Sequence, residues 1–85
     1  MNEVLMRIVV GAAMFFEGSG EDVIDPDVAL KQLEWIHGEL DRLDSGERNA
    51  LVAFVHAEAE AANDDPRYRT FLLEFPKAMG LRDEE

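Results

Sequence analysis

From Val4 to Phe16 the chain holds one charged side chain, Arg7, among residues that are otherwise apolar or small. Such a run needs burial on most sides, because apolar surface left in water costs about 25 cal/mol per Å². Outside it the chain is strongly acidic, with 19 Asp and Glu against 8 Lys and Arg and a net charge of −11. Segments that are acid on their outer faces must therefore bury an apolar one. With 85 residues there is material for one modest core. No cysteine is present, which excludes a disulfide framework and a thiolate metal site. Packing within one copy, or packing shared with a second copy, has to hold the fold.

The spacing predicts helices. At 100° per residue Val4, Leu5, Ile8, Val9, Ala12, Phe15 and Phe16 fall in one broad arc. Asn2 is a natural N-cap and Gly18 a natural residue just past the helix end. Ile8, Val9 and Val10 would suit a strand, but no second strand follows to satisfy its backbone. Val10 and Met14 lie off the main arc, so this helix is apolar nearly all round, the mark of a central helix.

Residues 18–25 read as a turn-rich acidic connection. Asp25-Pro26 then gives a cap followed by proline at the first helical position. From Asp27 to Leu43 the residues Ala29, Leu30, Leu33, Ile36, Leu40 and Leu43 share a face. Asp44 to Glu47 forms a capping box, opening a third helix over Ser45 to Ala62 with Leu51, Phe54, Val55 and Ala62 buried. Asp65-Pro66 opens a short fourth helix with Tyr68, Phe71, Leu72 and Phe75 on one side. Pro76 is expected to interrupt it, and Gly80 to end the following turn with Leu81 packed behind it. Arg82 to Glu85 reads as a frayed acidic tail. The expected architecture is a single all-α domain over 1–85: a compact four-helix bundle-like fold with a central apolar N-terminal helix and a short C-terminal turn. The helices are roughly 15, 17, 18 and 11 residues long.

Charge and composition narrow the function classes. Nucleic acid as a partner needs clustered Lys and Arg, which are scattered here. Anionic membranes are disfavoured for the same reason. The apolar start carries Glu3 and Arg7 and is too short to span a bilayer, so it reads neither as a secretory signal nor as an anchor. The expected location is the cytoplasm.

No residue set spells out a reaction, and neither a catalytic residue nor a cofactor is assigned. His37 sits at the rim of the second helix's apolar face, where a satisfied rim histidine is the ordinary role. His56 has Glu60 one turn on, but a zinc site needs three or four ligands, and no metal ligand is assigned. Glu21, Asp22, Asp25 and Asp27 fit no calcium-loop register. Ser19, Ser45 and Thr70 lack a nucleophile-elbow context. Glu58 lies beside the Leu51/Val55 face and, if partly buried, needs a partner such as Arg7 or Arg48.

Trp35 is the most suggestive side chain. It projects roughly 120–140° away from the Leu33–Leu40 face, among Val28, Lys31, Glu39 and Arg42. An aromatic residue ringed by charge fits an interface anchor. Trp35, Val28, Val10 and Met14, the apolar residues without an assigned neighbour, are the candidate partner-binding residues. Short helices with Asp-Pro starts under an acid surface occur in many unrelated small bacterial proteins and point to no family. Three readings follow. The first is an acidic interaction module, an adaptor or an inhibitor of immunity type, for another protein, a basic one in particular. The second is a metal-binding protein or metal-dependent enzyme built on His37, His56 and nearby acids. The third is a structural homodimer.

Overall fold

Each helix starts on the signal that its sequence carries. In the computed structural model, which describes residues 2–81, α1 runs Glu3–Gly18, α2 Pro26–Leu40, α3 Ser45–Ala61 and α4 Pro66–Ala78. The tail read over 82–85 lies outside the described residues. Among them there are four helices and no strand, an all-α bundle-like fold. The Asn2 side chain accepts from the Leu5 amide at 2.8 Å. Asp25 and Asp65 cap the two Pro-led helices through the amides of Asp27 and Tyr68. Asp44 and Glu47 close the capping box in both directions, at 2.8 and 3.3 Å. Each bond satisfies a backbone group that a helix end leaves open.

The ends depart further from expectation. α1 continues through Gly18 and stops on Ser19 in an extended conformation, so Gly18 makes no left-handed cap. Pro76 lies within α4 rather than interrupting it, and its missing N–H removes one ladder bond, the one to the Leu72 carbonyl. Beyond it Gly80 takes φ +70° and donates to the Lys77 carbonyl, while the Leu81 amide donates to the Pro76 carbonyl at 2.8 Å. That is a Schellman cap, and Leu81 is buried behind it as the sequence implied.

All four helices contribute to one core. Met6, Val10 and Ala13 come from α1 and Ile36 and Leu40 from α2. Leu51, Phe54, Val55 and Ala59 come from α3, and Leu72 and Phe75 from α4, with Met79 and Leu81 closing it below. The largest interface is α3 with α4; the next is α1 with α2, and α1 with α3 joins the two pairs. α1 is thus central in the order of packing, yet it is not enclosed.

The side of α1 that is buried differs from the periodicity reading. Of the expected arc, only Val9 and Phe16 pack at the edge of the core. Val4, Leu5, Ile8 and Phe15 face solvent. The buried side holds Met6, Val10 and Ala13, next to Arg7, which reaches α3. One feature marks it: Arg7, beside this side, finds its acid on α3. Leu30 of α2, also expected inside, is exposed.

Candidate protein-docking face

At 100° per residue, Gly11, Val4, Phe15, Ile8, Ala12, Leu5, Phe16 and Val9 occupy an arc of roughly 160° on α1 that contains no charge. Glu3, Arg7 and Glu17 all fall outside it. Val4 is 66 % exposed, Ile8 60 % and Phe15 49 %. α2 extends the surface. A groove of about 340 Å³ between the helices is walled by Ile8, Ala12 and Phe16 on one side and by Gln32, Trp35 and Ile36 on the other. Trp35 is 62 % exposed at its edge, and Val28, seven residues earlier on the same side of α2, is exposed too. Lys31, Glu39 and Arg42 frame this part, with Arg42 Nη1 donating to Glu39 at 3.4 Å.

Monomers seldom expose contiguous apolar surface beyond a few hundred Å². Trp35 and Val28 both lie on the open surface. The other two residues singled out with them do not. Val10 is fully buried in the core and has nothing to offer a partner. Met14 is half-buried and lines a separate cleft between α1 and α4, with Glu17, Arg67, Thr70 and Glu74. The correction at Val10 follows from the inverted burial of α1. The residues missed in the sequence are Val4, Leu5, Ile8 and Phe15. Their signal was present, since no charge interrupts their arc, but it was read as a core stripe.

The polar chemistry lies elsewhere. Glu58 is partly buried on α3, as its position implied. Arg7 Nη1 donates to its Oε2 at 2.9 Å, and the Tyr68 hydroxyl donates to its Oε1 at 3.3 Å. The Arg7 guanidinium also stands 5.3 Å from the centre of the Phe54 ring, a cation–π contact. Burial first, and then the Glu58 carboxylate, holds the Tyr68 hydroxyl above its usual pKa of 10.0. This set ties α1, α3 and α4 together.

His37 is half-buried at the rim of α2, with Asp41 3.9 Å from its Nε2. His56 is exposed on α3. Among the described residues no three His, Cys, Asp or Glu side chains gather into a group that could hold a metal ion. No helix among them is long and apolar enough to cross a membrane. Comparison with protein-family models, with curated proteins and with solved structures finds no match to this chain.

Proposed function

We propose that this protein works by docking: it is a small acidic interaction module of the cytoplasm, not an enzyme, and the α1–α2 face is its apolar contact surface. The observation that carries the reading is the continuous exposed stripe from Val4 to Phe15, ending in the groove beside Trp35. A stripe of this kind has a cost in the free chain that only a covering partner removes. The acid excess on the other surfaces favours basic proteins, which it steers into encounter over long range. An adaptor or an inhibitor of a basic protein fits both features.

Trp35 is the chain's one tryptophan, so its emission reports on this face directly. Covering of the face, by a host protein or by another copy, should shift that emission to the blue. Ile8→Glu should abolish the shift. A wild-type emission indifferent both to concentration and to host extract, or a shift that survives Ile8→Glu and Phe15→Glu unchanged, would remove the face from docking.

A further inference from the structure

We propose that the occupant of the α1–α2 face is a second copy of this chain, seated with its α1 antiparallel across the first. The inference rests on the reading of this face as a docking surface and adds which chain covers it. Three observations carry it.

The first is the spacing. Val4, Ile8, Gly11 and Phe15 are separated by four, three and four residues, the seam of a two-helix coiled coil. That order reads the same in both directions. In the antiparallel register centred between Ile8 and Gly11, Val4 of each copy meets Phe15 of the other, and Ile8 meets Gly11. The second is Gly11 itself. A glycine inside a helix is unfavourable, and here a Cβ would meet nothing within 4 Å, so nothing in the copy itself explains it. Across the seam it becomes the hollow into which the facing Ile8 fits.

The third is charge and area. Two chains of net charge −11 repel, yet the seam arc is free of charge, and the Trp35 side mixes Lys31, Glu39 and Arg42. This is the surface on which one copy can meet another without setting acid against acid. Val4, Leu5, Ile8, Phe15, Val28 and Trp35 together leave apolar surface on the order of 500 Å² open per copy. With its rim, that approaches the ~800 Å² that one side of a stable interface buries. The acid surfaces of both copies then point outward, free for a basic partner.

Sedimentation equilibrium of the intact chain should show a monomer–dimer equilibrium that tightens as salt is raised from about 0.05 to about 0.5 M, because added ions screen the repulsion between copies. Gly11→Leu should weaken the dimer at least about tenfold while leaving the helical circular dichroism and the melting of the dilute protein unchanged or improved. The register is read with cysteines, which the chain otherwise lacks. An equimolar mixture of Val4→Cys and Phe15→Cys should oxidise to the mixed disulfide well above its statistical share. A strict monomer at both salts, a dimer indifferent to Gly11→Leu, or same-variant disulfides in place of the mixed one would overturn the proposal. Its failure is separable from that of the docking reading: a monomer whose blue shift in host extract still depends on Ile8 leaves the face as a docking surface for another chain.

Discussion

The Arg7 guanidinium donates to the Glu58 carboxylate at 2.9 Å, so α1 is fastened to α3 by residues fifty-one positions apart. The pair is unequal. Arg7 is half-exposed and has Glu3 as a second partner at 3.4 Å, whereas the Glu58 side chain is only 19 % exposed and is also used by Tyr68. Loss of the acid should therefore cost more than loss of the base. We expect Glu58→Ala to lower stability by about 1–2 kcal/mol and Arg7→Met by less, since methionine keeps the packing over Phe54. Urea denaturation of the two variants checks this; equal costs would contradict the asymmetry.

The two sides of α1 should respond oppositely to truncation. Val10 is fully buried, and Val10→Ala should cost about 2 kcal/mol through lost contacts and a residual cavity. Ile8→Ala, on the open side, should stay within about 0.5 kcal/mol in dilute protein. Chemical denaturation at low concentration measures both. A larger cost at Ile8 would mean that the helix is turned the other way.

Tyr68 makes the fold sensitive to alkali. Its folded pKa is raised, so the native state holds the hydroxyl proton more tightly than the unfolded chain does. The resulting stabilisation is complete below the usual pKa of 10.0 and is lost as pH rises through the raised value. Wild type should therefore weaken on going from about pH 9 to about pH 11 more steeply than Tyr68→Phe does. Parallel slopes in urea midpoint against pH would rule the contribution out.

Gly80 is required by its backbone. At φ +70° a side chain is disfavoured, and a Cβ would stand 2.7 Å from His37 Nε2. Because the imidazole is the half-exposed tip of its side chain, it can swing aside, and the backbone term dominates. Gly80→Ala should cost about 1–2 kcal/mol, and His37→Ala should recover only a minor part of that. A double-mutant cycle separates the two; full rescue would assign the cost to the imidazole instead.

The caps were the most legible part of the sequence, because a cap is a local arrangement of a few consecutive residues. Asn2, Asp25, Asp44 with Glu47, and Asp65 each act where their neighbours implied. Glu58 was legible for a related reason: an acid beside a buried stripe needs a base, and few bases are available. The facing of α1 was not legible. Periodicity selects a buried side only when the other side is polar, and Val4 to Phe16 is apolar in nearly every direction. The Arg7–Glu58 pair, one of two offered by the sequence, marks the side that is buried, but it could not be chosen over Arg48 before the chain is folded. The charges around Trp35 allowed either an exposed anchor or a side covered by another helix, and only the fold shows it exposed, whereas Val10 was misplaced along with α1. Pro76 was misread because one lost bond does not end a helix that is packed on either side of it, at Phe75 and Met79.

The distance in sequence between Arg7 and Glu58 also bears on synthesis. α1 leaves the ribosome before α2 and α3, and the α3 residues that complete its burial are made roughly 45 residues later, a delay of seconds at ordinary translation rates. For that interval the nascent chain has only α2 to set against its most apolar segment, and the stretch that joins the two helices, Glu21 to Asp27, is rich in acid. Four carboxylates so close to an apolar stretch are the charge pattern that opposes aggregation beside it.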